Sequence, residues 1–336
     1  MSNIYIPKPW ELKGLRATDE SIYNNRRAFI KQLGLLGIGA VASPALLGAC
    51  QNPGQQGGSN ASPLEDAPSF TFEGMNELYP ASLNPKYTLD REMTKEYDAT
   101  HYNNFYEFIK DRDIYTIHRF VNTFDTSDWK FEVTGMAENT GTFYLEEIMK
   151  KFPLEERTYR FRCVERWAMA VPWTGIPLAA LIKFFEPKNK ATHIQFMTAS
   201  KPKEMPGVKN QPWYPWPYFE GLRMDEAMNE LAFIATGIYG KPLPKQNGAP
   251  MRLVVPWKYG YKNIKSILKI DFTNKQPETF WNKLQPSEYP FISNVNPEKP
   301  HPRWSQAEEY MLPDGDRRPT LKYNGYGEFV GSLYEG

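Results

Sequence analysis

Apolar and polar positions alternate along this chain in short stretches, none of which is long enough for an extended helix. Residues 129–135 and 157–163 alternate with a period of two, which predicts half-buried strands. The other predicted elements are strands over 193–198, 232–238, 252–256 and 267–272, and helices over 143–152, 177–185 and 221–231. Short strands and helices without a regular βαβ repeat indicate an α+β domain with mixed sheets and many loops.

The N-terminal segment has the pattern of an export signal. Arg26 and Arg27 precede Phe29 and an uncharged apolar run over 33–47, which is typical of a twin-arginine leader. The alternative is a membrane anchor, but the run is shorter than the roughly 20 residues that a span needs. We therefore predict a signal peptide over 1–49, a tether over 50–66 and one folded domain over 67–336, exported to the periplasm by the twin-arginine machinery.

The end of this leader resembles a lipobox. Residues 47–50, L-G-A-C, would place cleavage before Cys50 and lipid on its sulfur. Gln, Gly, Ser and Asn dominate residues 51–62, a composition that favours a flexible tether. The alternative is ordinary cleavage nearby, with Cys50 incidental. The sequence thus predicts a periplasmic protein and leaves a lipid anchor through Cys50 open.

The charge balance excludes one class of partner. The 336 residues contain 40 Lys and Arg against 39 Asp and Glu, a net charge of +1. Such a balance produces no long-range field that would attract nucleic acid. The chain also has no C-x-x-C-H haem motif and no G-x-G-x-x-G dinucleotide motif. Electrons for any redox reaction would therefore come from another protein.

Cys163 is the first candidate for chemistry. It ends a predicted strand in which Arg157, Arg160 and Arg162 precede it, and Arg166 follows. Neighbouring cations lower a thiol's pKa, and a thiolate is both a nucleophile and a metal ligand. The alternative is a buried, inert cysteine.

Two further segments contain candidate ligand-binding residues. Arg252 opens an apolar strand after an Asn247-Gly248 turn, and a buried arginine requires an anionic partner. Three lysines follow within 257–265, so a phosphate-bearing cofactor would fit here. The proline-rich segment 201–217, with Trp213, is predicted to be either a pocket rim or a surface excursion.

Several motifs occur together in one order. They are Y-N-N-F-Y-E-F at 102–108, F-P-L-E-E-R at 152–157, R-C-V-E at 162–165, M-P-G at 205–207, Q-N-G-A-P at 246–250, V-P-W-K-Y-G at 255–260 and H-P-R-W-S-Q-A at 301–307. Together they closely resemble the MsrP family of molybdenum-dependent protein-methionine-sulfoxide reductases, which have the sulfite oxidase fold. The resemblance runs from about residue 102 to the C-terminus.

The resemblance implies a Mo-molybdopterin cofactor with Cys163 as the protein ligand of the metal. Glu165 and Tyr239 would lie near the metal, in catalytic positions. The implied cofactor-binding residues are Asn103, Tyr106, Glu107, Thr198, Asn247, Arg252, Asn263, Ile264 and Lys265. The implied electron donor is a membrane haem b subunit of the MsrQ type, and the implied substrates are oxidised periplasmic proteins.

Two other classes of function stay open on the sequence. One is a sulfite dehydrogenase or a small-molecule S- or N-oxide reductase of the same fold, although a carboxylate at Glu165 would oppose binding of sulfite. The other is a cofactor-free lipoprotein that serves as a binding module. His101, His118, His193 and His301 show no paired metal spacing, and we expect structural roles for them.

Overall fold

Two β-sheets make up most of the regular structure of this chain. The computed structural model describes residues 70–109 and 117–335. The predicted leader, 1–49, and tether, 50–66, lie outside these residues. In the described part of the chain, no helix is both long enough and apolar enough to cross a membrane.

The strands are short except for the pair that flanks Cys163. They are β1 (Ser82–Leu83), β2 (Lys130–Gly135), β3 (Gly141–Tyr144), β4 (Glu155–Arg162), β5 (Trp167–Pro177), β6 (His193–Thr198), β7 (Phe219–Arg223), β8 (Phe233–Ile238), β9 (Lys241–Pro242), β10 (Arg252–Val254), β11 (Ile267–Thr273), β12 (Glu308–Met311) and β13 (Arg317–Pro319). The helices are also short. They are α1 (Glu96–His101), α2 (Leu145–Lys151), α3 (Leu178–Phe185), α4 (Pro206–Asn210), α5 (Met224–Ala227), α6 (Phe280–Leu284) and α7 (Gly327–Val330), with 3₁₀ turns between them.

The larger sheet is organised around β5. On one side β5 pairs antiparallel with the whole length of β4. On the other side its first residues pair parallel with β12 and its last residues pair antiparallel with β8. Every residue of β5 except the last is buried, since both edges and both faces are covered. The β4–β5 hairpin therefore gives the cysteine loop a rigid base.

The smaller sheet has the strand order β3-β2-β11-β6-β7. β11 pairs parallel with β2 and antiparallel with β6. Side chains alternate between buried and exposed along β2, as the period-two pattern predicts. Together the two sheets and the short helices confirm the predicted mixed α+β class.

Two predicted helices differ from the structure. The helix predicted over 221–231 is wrong, because residues 219–223 form a strand paired with β6 and only Met224–Ala227 are helical. Glu220 lies on that strand in a buried ion pair with Lys262, an interaction that a local pattern cannot reveal. The helix predicted over 143–152 begins later, at Leu145, since Tyr144 still pairs with Lys130.

The M-P-G motif has a steric explanation. Gly207 lies in α4 directly against the backbone of the 102–108 segment. A Cβ at Gly207 would lie 2.0 Å from the carbonyl oxygen of Tyr106 and 2.6 Å from the carbonyl carbon of Glu107. Only glycine allows this approach, so α4 fixes the position of two candidate cofactor-binding residues.

We expect Gly207→Ala to destabilise the protein by about 1–3 kcal/mol, the usual range for overpacking, despite the better helix propensity of alanine. Urea denaturation of the purified protein measures this change. Gly327→Ala is the matched control, since its Cβ would meet its nearest neighbour at 3.8 Å, an ordinary contact. Equal stability of the two variants would contradict the steric argument.

Candidate active site

A cleft of about 880 Å³ opens beside the β4–β5 hairpin. Most of the residues singled out in the sequence line this cleft. They are Cys163, Glu165, Asn103, Tyr106, Glu107, Asn247, Arg252, Asn263, Ile264 and Lys265. Thr198 and Tyr239 are the two that do not.

A tight turn presents Cys163 to this cleft. The N–H of Arg166 donates to the carbonyl of Cys163 at 3.0 Å, and the N–H of Cys163 donates to the carbonyl of Trp167 at 2.9 Å. Arg166 has a left-handed φ of 76°, which closes the hairpin. The N–H of Glu165 points at the Cys163 sulfur, 3.4 Å away. The backbone thus fixes the thiol before any ligand binds.

The H-P-R-W-S-Q-A motif holds this turn from outside. Trp304 Nε1 and Gln306 Nε2 both donate to the carbonyl oxygen of Val164, at 2.9 and 2.7 Å. Gln306 in turn accepts a hydrogen bond from Arg162 Nη2 at 2.8 Å. His301 stacks on Trp304 with ring centroids 3.9 Å apart. The motif therefore positions the cysteine loop, a role that the sequence of the motif does not specify.

The arginines do not have the predicted net effect on the pKa of Cys163, although Arg162 acts in the predicted direction. Burial raises the pKa of the Cys163 thiol, and the Glu165 carboxylate adds to this effect. The N–H of Glu165, Arg162 and the Asn104 amide oppose it but do not reverse it. A buried thiol of this kind favours a thiolate only when a cation binds the sulfur directly.

The other three arginines are engaged elsewhere. Arg157 donates to Glu155 at 2.6 Å. Arg160 donates to the exposed carboxylate of Asp90, also at 2.6 Å. The Arg166 guanidinium lies 4.6 Å from the ring centroid of Tyr310. None of these groups reaches the cleft.

Arg252 lines the same cleft as Cys163. It is only 2% exposed, and burial lowers the pKa of its guanidinium to about 9. Its Nη1 donates to the carbonyl of Asn247 at 2.8 Å and its Nη2 donates to that of Asn263 at 3.2 Å. Within residues 70–109 and 117–335, no carboxylate forms an ion pair with it. The buried cation therefore lacks the anion that the sequence led us to expect.

Lys265 adds a second cation to the same region. Its Nζ donates to the carbonyl of Asn104 at 2.8 Å. Burial lowers the pKa of Lys265 and raises that of Glu107, and each group partly offsets the shift of the other. Thr198 does not line the cleft, but its hydroxyl donates to the Lys265 carbonyl. Thr198 thus fixes the backbone that carries Lys265.

Unsatisfied polar atoms mark the cleft as a ligand site. The Asn247 Oδ1 and the Trp173 Nε1 are buried, and neither has a hydrogen-bond partner among the described residues. A buried polar atom left unpaired costs free energy, so such atoms indicate a missing ligand. A polar pterin ring and its phosphate would supply acceptors and donors for Asn247, Trp173 and Arg252.

The protein alone supplies few metal ligands here. In the described ranges, no group of three or more His, Cys, Asp and Glu side chains could hold a metal ion. A metal at Cys163 would therefore take most of its ligands from a cofactor, as it does in a dithiolene complex. The residues present fit a phosphate-bearing cofactor with a soft metal bound to one thiolate.

Asn104 is a site residue that the sequence analysis missed. Its Nδ2 donates to Glu165 Oε2 at 3.0 Å and lies 3.8 Å from the Cys163 sulfur. Trp167 Nε1 donates to the same carboxylate oxygen at 3.4 Å. The available signal was its place beside Asn103 in the 102–108 motif. Asn104 and Trp167 orient Glu165 next to the thiol.

The structure does not bring Tyr239 into the cleft. Its hydroxyl donates to the carbonyl of Thr94, and burial raises its pKa. A hydroxyl engaged in this way is held by the protein rather than presented to a ligand. A catalytic role for Tyr239 stays a prediction without support from this geometry.

The residues of the proline-rich segment do not line the cleft either. Trp213, Tyr214 and Trp216 are absent from its wall, where Tyr106 and Trp281 stand instead. Tyr214 packs behind that wall, with its ring centroid 6.2 Å from that of Trp281. The segment is therefore one layer outside the cleft rather than its rim.

Comparison with known proteins defines the class. Residues 118–281 match the family model of the oxidoreductase molybdopterin binding domain. The fold and the cleft are thus those of a molybdopterin-binding oxidoreductase.

Relatives narrow the class to one family. The protein-methionine-sulfoxide reductase catalytic subunit MsrP of Xanthomonas axonopodis pv. citri (strain 306) is 45% identical over 325 residues, which cover 95% of this chain and 94% of the relative. The MsrP of Pseudomonas syringae pv. tomato (strain ATCC BAA-871 / DC3000) is 43% identical over 340 residues, 99% of this chain and 97% of the relative. This chain belongs to the MsrP family.

A solved structure gives a more distant likeness. The sulfane dehydrogenase SoxCD from Paracoccus pantotrophus has 17% identity and a TM-score of 0.37, over 57% of this chain and 44% of that chain.

Proposed function

We propose that this chain is the catalytic subunit of a protein-methionine-sulfoxide reductase that restores methionine in oxidised proteins. The observation that carries the proposal is the position of one buried thiol, Cys163, in the same cleft as two buried basic side chains, Arg252 and Lys265. Membership in the MsrP family supports the same activity.

The cleft residues divide between the two halves of the cofactor. Arg252 and Lys265 would bind its phosphate, because both are cations at one side of the cleft. Asn103, Asn247, Asn263, Tyr106 and Glu107 would contact the polar pterin, with Ile264 packing beside it. Cys163 would bind the metal. Thr198 would act through Lys265, whose carbonyl it binds.

The reaction balances without a further co-reactant apart from the electron donor. A sulfoxide plus two electrons and two protons gives a thioether and water, the reversible step of methionine oxidation. When bound, the molybdenum centre would supply the two electrons. The chain's own residues would orient the sulfoxide beside Cys163.

Glu165 would select against sulfite. It is exposed at the mouth of the cleft, next to the thiol, and it is oriented by the Asn104 amide. A carboxylate there repels a dianion such as sulfite but tolerates a neutral sulfoxide. The Asn104–Glu165 pair therefore favours sulfoxide reduction over sulfite oxidation.

The same proposal includes the location of the protein and the source of its electrons. The twin-arginine motif supports export of the folded, cofactor-loaded protein to the periplasm, and the Cys50 context supports lipid attachment. A membrane haem b subunit of the MsrQ type would donate electrons. Oxidised periplasmic proteins would be the substrates.

The test uses the holoenzyme purified from a host that makes molybdopterin. Molybdenum is measured by elemental analysis, and a reduced dye supplies electrons for a protein that contains methionine sulfoxide. We expect roughly one molybdenum per chain and sulfoxide-dependent oxidation of the dye. Oxidation of sulfite without reduction of methionine sulfoxide would overturn the assignment. Absence of molybdenum would favour a cofactor-free binding module.

A further inference from the structure

Trp213 is an exposed aromatic residue that does not line the cleft. It is 70% exposed, a value matched among the described large apolar side chains only by Tyr97. Tyr97 stacks on His101 at 4.0 Å, so one ring face is covered. Among the described residues, the one ring contact of Trp213 is a tilted contact with Tyr214, at 6.2 Å. A large apolar side chain held in water without a stacking partner is typical of an interaction site.

A continuous set of aromatic rings joins Trp213 to the cleft. Tyr214 contacts Trp213 on one side and Trp281 on the other, both with ring centroids 6.2 Å apart. Trp281 contacts Tyr106 at 4.9 Å, and both of these rings line the cleft. A polypeptide whose side chain enters the cleft would therefore pass over an aromatic surface that ends at Trp213.

The loop that carries Trp213 is held in place. Pro212 and Pro215 flank the residue and restrict the backbone. Trp216 Nε1 donates to the carbonyl of Gln211 at 2.8 Å, which closes the loop. Tyr214 also packs against the Trp216 ring at 5.6 Å. Because the loop is already ordered, binding at Trp213 would cost little conformational entropy.

The charges in this segment indicate the chemistry of the partner. Lys203 and Lys209 are exposed, and neither forms an ion pair with another described residue. Lys201, in contrast, pairs with Glu204 at 3.2 Å. Two cations without an ion pair among the described residues, in the segment that carries Trp213, favour a partner with acidic residues.

We propose that Trp213 and the segment around it form a docking surface for the polypeptide that flanks the methionine sulfoxide of the substrate. An apolar side chain of the substrate packs on Trp213, and acidic residues beside it face Lys203 and Lys209. The inference rests on the proposed function for the identity of the bound chain. It adds a binding surface outside the cleft that distinguishes a protein substrate from a small sulfoxide.

Binding and turnover are measured separately on the holoenzyme. The probes are two fluorescent peptides that contain one methionine sulfoxide and one phenylalanine, with either glutamates or lysines beside them. For Trp213→Ala we expect the Kd for the acidic peptide, from fluorescence anisotropy, to rise about fivefold to twentyfold, as for loss of an interface hot spot. We expect KM for that peptide to rise by the same factor, with kcat unchanged. The wild-type enzyme should bind the acidic peptide more tightly than the basic one.

Two controls make the outcome specific. Leu83→Ala removes a side chain that is 52% exposed on β1, and it should change neither Kd nor KM. Dimethyl sulfoxide is too small to contact Trp213 while it is bound in the cleft. Trp213→Ala should therefore reduce dimethyl sulfoxide at the wild-type rate. Restoration of tight binding by Trp213→Phe would show that an aromatic face is required.

Three results would overturn the docking surface. One is that Trp213→Ala binds the peptide as tightly as the wild type does, while the wild type reduces the peptide. This result would leave the proposed function intact. Another is an equal loss with dimethyl sulfoxide, which indicates damage to the cleft. The third is slower electron transfer from the membrane donor with unchanged peptide kinetics, which would assign the surface to that donor. Peptide binding that depends on Trp213 without any reduction would instead contradict the proposed function.

Discussion

Cys163→Ser is expected to abolish turnover while the protein stays folded. Cys163 supplies the only thiol in the described ranges, and no cluster of other metal-ligating side chains could replace it. Serine is a harder ligand and does not substitute for a soft thiolate. We expect the rate of sulfoxide reduction to fall by more than about a hundredfold, beyond the usual effect of losing a residue that only supports a metal ligand.

The fold should tolerate this substitution. Serine is close to cysteine in size, and its hydroxyl can accept the hydrogen bond from the N–H of Glu165 that now points at the sulfur. The turn is held by backbone bonds to Arg166 and Trp167 and by the bonds of Trp304 and Gln306 to Val164. We therefore expect a change in Tm of no more than a few degrees.

Cofactor analysis completes the test of Cys163. Since Arg252 and Lys265 are untouched, Cys163→Ser should retain pterin, which is measured by fluorescence after oxidative release. Gln306→Leu is a useful comparison, because it loosens the cysteine loop without removing the ligand and should lower the rate less. Undiminished turnover in Cys163→Ser would refute the assignment of the metal ligand.

The sequence predicted much of the local structure around this site. The strands over 130–135, 155–162 and 193–198 alternate as their residues suggested, because each has one face against a core. The helix predicted over 221–231 overlaps strand β7, because the buried ion pair of Glu220 with Lys262, 42 residues later, leaves no local signal. Contacts between distant segments decide such positions, and a local pattern does not contain them.

The error over the arginines has a geometric cause. In a strand, successive side chains point to opposite faces, so Arg160 and Arg162 lie on the face away from Phe161 and Cys163. Arg157 shares a face with Cys163, but six residues of strand place it roughly 20 Å away. The spacing alone therefore argued against a cluster of cations at the thiol. In contrast, the predicted burial of Arg252 is confirmed, since burial is a property of a single strand position, and its anionic partner stays a prediction.

The cleft could be predicted only through the resemblance. Asn103, Cys163 and Lys265 are up to 162 residues apart, and composition gives no reason to bring them together. The structure joins them through the hydrogen bond between Lys265 and the carbonyl of Asn104 and through the β4–β5 hairpin. Local sequence patterns likewise do not predict that Trp304 and Gln306, about 140 residues beyond Val164, hold the cysteine loop.

Arg252→Met is expected to empty the cleft of cofactor. Arg252 is buried, and it lies where the cofactor phosphate would compensate its charge. Removing one partner of a buried ion pair costs about 3–5 kcal/mol, which is a loss of roughly a hundredfold to several thousandfold in affinity. We therefore expect both pterin and molybdenum to fall to near zero in the purified variant, unlike in Cys163→Ser, where pterin stays.

Stability separates loss of the ligand from loss of the fold. In the cofactor-free protein, Arg252 bears a desolvated charge, and its low pKa shows the cost of that charge. Its replacement also leaves the carbonyls of Asn247 and Asn263 without their donor. The two effects oppose each other, so the cofactor-free variant should unfold within about 2 kcal/mol of the cofactor-free wild type.

The charge of Arg252 also gives a dependence on pH and on anions. A cation whose pKa is lowered by folding destabilises the folded state in full below that pKa, and the penalty shrinks as pH rises from about 9 towards the ordinary pKa of arginine. Cofactor-free wild type should therefore gain stability relative to Arg252→Met as pH rises above about 9, and the difference between the two should be constant below that pH. Inorganic phosphate at neutral pH should stabilise the wild type but not the variant, by mass action.

Arg317→Met is the matched control, since Arg317 lies on β13 with its side chain 55% exposed and outside the cleft. It should keep the full content of pterin and molybdenum and show no change in its response to phosphate. If Arg252→Met retained the cofactor as Arg317→Met does, the phosphate would lie elsewhere, and the arrangement of the cofactor between Cys163 and Arg252 would be wrong.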